Sequence, residues 1–155
     1  MLHFKVEPLI SDLTRKRLIE YALNIPNDQW MKYKSIKSNR PTALQFFHIP
    51  YQFMDRDIRL MKMDPHTNEE WHTDALRLTA LLYPLTDNYA PIKIKNNSQY
   101  QEIDYPALID VRNLHCVDNN NKIRINLQVN FAEPLEEVIC LFNKRKQNEL
   151  LSFKI

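Results

Sequence analysis

Apolar residues recur at helical spacing in one early segment of the chain. From Ser11 to Leu23 they form a broad stripe, and Ser11 or Asp12 can cap the helix that this spacing predicts. Pro26 follows just beyond its end, where a residue that cannot continue a helix is common. The polar and aromatic segment from Gln29 to Lys37 predicts a loop or a short helical turn.

After residue 41 the pattern is that of short strands separated by turns. Alternation is clearest from Lys122 to Phe131, where Arg124 and Asn126 share one face and the isoleucines beside them share the other. Further strands are predicted at Thr42–Ile49, Ile58–Met63, Arg77–Leu85, Pro91–Lys95, Tyr105–Val111, Glu137–Phe142 and Leu150–Ile155. One leading helix followed by about eight short strands predicts a mainly β fold, a small sandwich or jelly roll.

Length and composition are those of an ordinary globular protein. The 155 residues predict one domain spanning residues 1–155, and the hydrophobic fraction of 44% is enough for a real core. The net charge of +2 lacks the concentrated basic excess of nucleic-acid binders, so no nucleic-acid partner is expected. Glycine is absent, which excludes glycine-rich phosphate loops of the P-loop and Rossmann kinds.

The sequence carries no signal for a membrane or for export. No apolar run approaches the roughly 20 residues that span a bilayer, and the N-terminus lacks a signal-peptide pattern. Cys116 and Cys140 lie in apolar runs without a CxxC motif, which predicts buried free thiols. These features predict a cytoplasmic protein, in the host cytoplasm if the source is viral, with no membrane partner.

Two histidines and an aspartate have the spacing of a metal site. His72 and Asp74 lie two residues apart, which on a strand directs both side chains to one face. His115 comes 41 residues after Asp74, far enough for other strands to lie between them in the chain. Two histidines and one carboxylate form the facial triad of non-haem Fe(II) oxygenases, which leaves the other metal positions open.

Arg124 adds a candidate carboxylate-binding side chain to this metal site. It follows His115 by nine residues on the predicted alternating strand, where it could hold the far carboxylate of a 2-oxo acid bound to the metal. Taken singly, His72 and Asp74 would be typical of a turn or capping pair, and His115 of a core histidine. Their order, separation and strand context, together with the later arginine, favour the metal site.

With these residues the chain resembles the 2-oxoglutarate- and Fe(II)-dependent dioxygenases over about half its length. The segments that carry the resemblance are Leu60–Pro65, Trp71–Asp74, Leu81–Asp87, Tyr105–Asp110, Leu114–Val117 and Arg124–Asn126. The resemblance implies a double-stranded β-helix, which is a form of jelly roll. The chain is similar to small bacterial and phage members, with features of the prolyl and the aspartyl/asparaginyl hydroxylase branches.

The resemblance also implies roles for individual residues. It implies three ligands for Fe(II), namely His72, Asp74 and His115. Arg124 would form a salt bridge to the distal carboxylate of 2-oxoglutarate, and Asn126 would stand where the family often has Ser. Tyr83 would supply a hydroxyl to the same carboxylate. The implied reaction uses O2, releases succinate and CO2, and hydroxylates an amino-acid, protein or small-metabolite substrate.

Some features depart from the family, and other interpretations stay open. Met63 stands near a position where the prolyl branch often has Tyr, and Asn88–Pro91 replaces family glycines. A non-enzymatic jelly-roll structural or interaction module would need neither the triad nor Arg124. A cupin-like metal-binding protein without oxo-acid chemistry would need the triad alone. Arg77 could orient Asp74, contact substrate or lie on the surface. The substrate and the oligomeric state are not predicted.

Overall fold

The computed structural model describes residues 1–35, 37–145 and 150–155 of the chain. Helix α1 (Asp12–Asn24) confirms the predicted first helix. Ser11 is its N-cap, because its side-chain oxygen accepts a hydrogen bond from the Thr14 N–H at 3.1 Å. Leu18 and Ala22 are buried on its inner side, so the predicted apolar stripe is the side that packs.

Most of the regular secondary structure is strand, and the strands lie in two antiparallel sheets. They are β1 (His3–Lys5), β2 (Met31–Lys34), β3 (Pro41–Phe53), β4 (Arg56–Met63), β5 (Asn68–His72), β6 (Thr79–Pro84), β7 (Ile92–Lys95), β8 (Tyr100–Ile103), β9 (Ala107–Asp110), β10 (Leu114–Asp118) and β11 (Arg124–Phe131). The larger sheet has the order β1-β9-β6-β11-β4-β3-β2, and the smaller has the order β5-β10-β7-β8. The predicted fold class, mainly β with a leading helix in a jelly roll, is confirmed.

The two faces of the larger sheet bury different cores. One face packs against α1 and a C-terminal helix, α2 (Leu135–Lys144), through residues that include Ile125, Leu127 and Val129 of β11. The other face packs against the smaller sheet through an aliphatic cluster that includes Met63 and Leu82. The predicted alternation of β11 is therefore confirmed, and its polar residues lie between the sheets.

The prediction of a strand at Glu137–Phe142 is wrong, because these residues belong to helix α2. Pro134 precedes the helix, and Glu137 lies in its first turn, where a negative charge favours the helix dipole. The apolar residues repeat with the helical period rather than in alternation, and Leu135 and Val138 are buried. Cys140 is consequently exposed on this helix, whereas Cys116 is buried as predicted.

Two other predicted segments also differ from the structure. Residues 150–155 form no strand, although Phe153 packs edge-on against Tyr51 with ring centroids 5.1 Å apart. The loop predicted from Gln29 to Lys37 instead contains β2, which pairs with β3 at the end of the larger sheet. Ile36, within that segment, lies outside the described residues. None of the described helices combines the length and apolar character that a membrane span needs.

Candidate metal centre

Neighbouring strands of the smaller sheet bring the two predicted histidine ligands together. His72 is the last residue of β5 and His115 is the second residue of β10. These strands are antiparallel, and the two histidines are direct partners in the register. Their ring centroids lie 4.3 Å apart. Strand pairing therefore sets the spacing of the two imidazoles.

Asp74 completes the group just after β5. Its Oδ1 lies 3.7 Å from His72 Nε2, and its Oδ2 lies 3.4 Å from His115 Nε2. The ligand atoms of the three residues all lie within 4.8 Å of one another, so they could hold one metal ion. His115 is buried, whereas 40% of the His72 side chain is exposed. One side of the group is thus open to incoming molecules.

Both imidazoles are oriented by backbone carbonyls. His72 Nδ1 lies 2.6 Å from the Glu70 carbonyl oxygen, and His115 Nδ1 lies 2.8 Å from the Asn113 carbonyl oxygen. Each Nδ1–H can donate to its carbonyl, which leaves Nε2, the atom that faces Asp74, to bind a metal ion or, without one, to donate a proton to Asp74. A second hydrogen bond of this kind is the usual support of a metal-binding histidine.

Arg77 holds the Asp74 carboxylate in position. Its Nε and Nη2 donate to Asp74 Oδ2 at 2.9 and 2.8 Å, and its Nη1 donates to Asn130. Burial by itself would raise the pKa of Asp74. Hydrogen bonding to His115 and the charge of Arg77 outweigh it and hold that pKa below its ordinary value. Of the three roles left open for Arg77, the contacts support orientation of the carboxylate.

We expect Arg77→Gln to weaken metal binding without removing a ligand. Outer partners of metal ligands typically contribute 10- to 100-fold in affinity, so Mn(II) affinity should fall by about that factor. Calorimetric titration of metal-free protein measures the change. Arg15→Gln is a matched control, because Arg15 pairs with Asp12 at the same sequence spacing on α1. Equal losses in both variants would show that Arg77 has no special role at the triad.

Arg124 lies buried at the start of β11 and is 4% exposed. Its Nε donates to the Ala90 carbonyl oxygen at 2.9 Å, and its Nη1 donates to Asn126 Oδ1 at 3.3 Å. Among the described residues, its Nη2 has no hydrogen-bond partner. The guanidinium carbon lies 3.9 Å from the centroid of the Tyr89 ring. The side chain is therefore fixed in place with one donor unused.

Tyr89 is the residue at this site that the sequence interpretation missed. Within the described chain its hydroxyl is also buried without a hydrogen-bond partner, and burial raises its pKa. It lies in the loop Asn88–Pro91. The sequence signal that could have revealed it is weak, since it consists of one aromatic residue in a polar turn. Buried polar groups are nearly always partnered, and these two side chains together suit an anionic acceptor.

One pocket between the two sheets is lined both by the histidines of the candidate metal site and by Arg124. Its polar lining residues are Glu69, His72, Arg77, His115, Arg124, Asn126 and Gln128. Its apolar lining includes Leu82, Ile92 and Val117. A molecule in this pocket could contact both histidines of the triad and the unpaired arginine at once.

Tyr83, the hydroxyl donor expected from the resemblance, lies on the wrong face of the sheet. Leu127 is its register partner on β11, so it shares the face of the helical core and not that of Arg124. Its hydroxyl accepts a hydrogen bond from the Leu9 N–H at 3.2 Å. Tyr83 therefore cannot contact a ligand of Arg124. Met63 is fully buried between the sheets and offers no hydroxyl in its place.

Comparison with known proteins supports the fold and leaves the activity open. No protein-family model matches the chain, and neither does any curated protein. A prolyl-4-hydroxylase from Pseudomonas putida superposes with a TM-score of 0.65 at 9% identity, over 84% of this chain and 92% of that one. AviO1 from Streptomyces viridochromogenes Tue57 superposes with a TM-score of 0.53 at 12% identity, over 86% and 90%.

A third solved structure, from the DMSP lyases RdDddP and RnDddQII, has a TM-score of 0.54 at 11% identity, over 83% of this chain and 69% of that one. Identities this low establish a common architecture and not a common reaction. The chain therefore has the jelly-roll fold of these proteins, with a His-Asp-His group that could hold a metal ion and whose two histidines line the pocket between its sheets.

Proposed function

We propose that the protein is an Fe(II)- and 2-oxoglutarate-dependent dioxygenase that hydroxylates an amino-acid, protein or small-metabolite substrate. The observation that carries this proposal is a single pocket that joins a His-Asp-His group to a buried arginine with an unpaired donor. An unpaired buried charge costs stability, so its presence needs a reason outside the fold. The far carboxylate of a metal-bound 2-oxo acid supplies that reason.

The donor set fits Fe(II). Two neutral imidazole nitrogens and one carboxylate on one side of an ion leave its other positions for a cosubstrate and O2. His72 and His115 are held with Nε2 toward the site, and Arg77 holds the carboxylate of Asp74 ionised. When bound, Fe(II) and 2-oxoglutarate supply the activation of O2, with succinate and CO2 as coproducts.

The other end of the pocket fits a dicarboxylate. The Nη2 of Arg124 and the hydroxyl of Tyr89 can both donate to one carboxylate, and a guanidinium suits such a contact. Asn126 accepts from Nη1 and so fixes the plane of the guanidinium. Apolar side chains such as Leu82 and Ile92 line the pocket and exclude water from the charged pair.

Two other functions would leave part of this arrangement unused. A structural or interaction module has no need for three ligand atoms within 4.8 Å of one another. A cupin-like metal protein without oxo-acid chemistry would use the triad, but it would leave Arg124 buried without a partner for Nη2. The oxygenase is the function that uses both groups.

The test is anaerobic titration of metal-free protein with Fe(II) and then with 2-oxoglutarate. We expect the visible charge-transfer band of the chelate, and succinate formation once O2 is admitted. His72→Ala should abolish the band. His66→Asn is the control, because His66 is an exposed turn residue with φ of 60°, which Asn tolerates. Fe(II) binding without a band would favour the cupin-like protein, and no metal binding would favour the structural module.

A further inference from the structure

A basic and aromatic surface borders the pocket on the same side of the larger sheet. Arg59 of β4 is the register partner of Gln128 on β11, whose side chain lines the pocket. On its other side Arg59 pairs with His48 of β3. We call Tyr33, Phe46, His48 and Arg59 the Arg59 face. It begins one strand away from the pocket and runs to β2, the last strand of the sheet.

Arg59 is held by an aromatic ring and a hydroxyl rather than by an ion pair. Its Nη1 donates to the Tyr33 hydroxyl at 2.6 Å, and its guanidinium carbon lies 5.1 Å from the centroid of Phe46. Within the described part of the chain, no carboxylate lies within ion-pair distance of it. Because the Tyr33 oxygen accepts from Arg59, its own proton remains available for an external acceptor. The two side chains form a preorganised pair of donors.

The sequence at the β2 edge of this face has one sign of charge, whereas Asp57 of β4, two residues before Arg59, accepts a hydrogen bond from Gln52. Residues 29–54 include four basic residues and neither Asp nor Glu; the basic residues are Lys32, Lys34, Lys37 and Arg40. They belong to β2 and to the connection into β3. Among the described residues β2 ends the sheet, so one of its edges has no strand partner there. Lys32 and Lys34 alternate with Tyr33 and so project from the other face of β2, but their charges lie at this same edge. The donors of Arg59 and Tyr33 therefore lie beside a positive sheet edge, which favours a negatively charged partner.

The extent of the face favours a chain molecule. From β11, which lines the pocket, Arg59 on β4 is one strand spacing away and Tyr33 on β2 is three, or about 5 to 14 Å. An extended polypeptide covers that range with about two to four residues, whereas a free amino acid does not reach the outer strand. The aromatic rings pack on one another: Phe46 lies 4.5 Å from Tyr33 and 5.6 Å from His48 between centroids. Nucleic-acid binders instead use open ring faces for stacking bases, so a polypeptide fits better.

We propose that the Arg59 face binds an acidic polypeptide segment of the substrate. Arg59 and Tyr33 receive a side-chain carboxylate of that segment, and a residue about two to four positions along reaches the pocket that the histidines of the triad line. Hydroxylation of that residue rests on the function proposed above, whereas the binding of the acidic segment does not. Arg59 is therefore a specificity-determining residue for a protein substrate.

Fluorescence anisotropy with a labelled peptide of alternating Glu and Ala tests the binding. The Mn(II)- and 2-oxoglutarate-loaded protein should bind it at low salt, and Arg59→Gln should weaken binding by about 10-fold, as expected for a lost charge-assisted hydrogen bond. Tyr33→Phe should weaken it by about 3-fold. Arg17→Gln is the matched control, because it removes the same charge from an exposed position on α1. The same peptide with Gln in place of Glu should bind poorly to all variants.

Three results would overturn the proposal. These are equal affinities of Arg59→Gln and Arg17→Gln, equal binding of the Glu and Gln peptides, and full competition by oligothymidylate of matched length. Urea unfolding of Arg59→Gln, with a free energy of unfolding like that of Arg17→Gln, shows that its loss of binding is not a loss of fold.

Succinate release with a peptide library, randomised at one position and flanked by Glu, separates this proposal from the proposed function. Arg59-dependent binding without turnover keeps the acidic-segment site and refutes the oxygenase. Turnover that depends neither on the flanking acids nor on Arg59 supports the oxygenase and refutes the acidic-segment site. If both proposals hold, Arg59→Gln raises KM by about 10-fold and leaves kcat unchanged, because it removes binding distant from the reacting atoms.

Discussion

Asp74→Asn is expected to lower the affinity for Fe(II) or Mn(II) by at least about 100-fold and to abolish turnover. The substitution keeps the shape of the side chain and its Oδ1, but it removes the charge that a divalent ion requires. Loss of an outer partner alone typically costs 10- to 100-fold, so loss of a direct ligand should cost more. Calorimetric titration with Mn(II) and succinate release with Fe(II) measure the two effects.

Asp12→Asn is the matched control for Asp74→Asn. Asp12 pairs with Arg15 three residues later, as Asp74 pairs with Arg77, but it lies on α1. The control should bind Mn(II) like the wild type. If Asp74→Asn binds the metal as tightly as the wild type, the Asp74 carboxylate is not a ligand and the site is not a facial triad.

The same two variants report on acid stability. The pKa of Asp74 is lower in the folded protein than its ordinary value, so the ionised carboxylate stabilises the fold at neutral pH. This contribution is complete above the ordinary Asp pKa of about 3.9 and is lost as the pH falls toward the lower native value. Metal-free Asp74→Asn should therefore lose less stability than the wild type between about pH 5 and pH 2 in urea unfolding.

The fold was predictable from the sequence where one face of an element is apolar. Helix α1 has a clear cap and stripe, and β11 alternates over its whole length, so both were predicted with the correct faces. Helix α2 was mistaken for a strand because the interpretation began at Glu137, in a compact apolar run. Extended back to Leu135 and Pro134, the same residues show helical spacing and an acidic first turn.

The residues of the candidate site also divide into those that a local sequence pattern reveals and those that it does not. His72, Asp74 and Arg124 stood out because the His-x-Asp pair and the alternation around Arg124 are short local patterns, although Asp74 lies after β5 and not on it. The approach of His115 depends instead on the pairing of β10 with β5. Tyr83 was assigned to the wrong face because β6 is buried on both sides and shows no alternation that would reveal its orientation. Tyr89 was missed because its contact with Arg124 depends on the path of a loop that no periodic pattern describes.

Arg124→Met is expected to raise the dissociation constant of 2-oxoglutarate by about 100-fold in the Mn(II)-loaded protein. Truncating one partner of a buried, hydrogen-bonded charge pair typically costs 2–5 kcal/mol, and 100-fold corresponds to about 2.7 kcal/mol. Tyr89→Phe should raise it by about 10-fold, since it removes one hydrogen bond to a charged group. Tyr83→Phe is the control and should change nothing, because that hydroxyl lies on the opposite face and bonds Leu9.

A comparison of two ligands shows whether the far carboxylate is the group that Arg124 binds. The second ligand, 2-oxopentanoate, has the same chain and the same metal-chelating end, but a methyl group replaces that carboxylate. The wild type should prefer 2-oxoglutarate by about 100-fold, and Arg124→Met should lose most of that preference, because the carboxylate then keeps the Tyr89 hydroxyl but loses its charged partner. A preference of about 100-fold that persists in Arg124→Met would place the carboxylate elsewhere, and the unpaired Nη2 would lose its explanation.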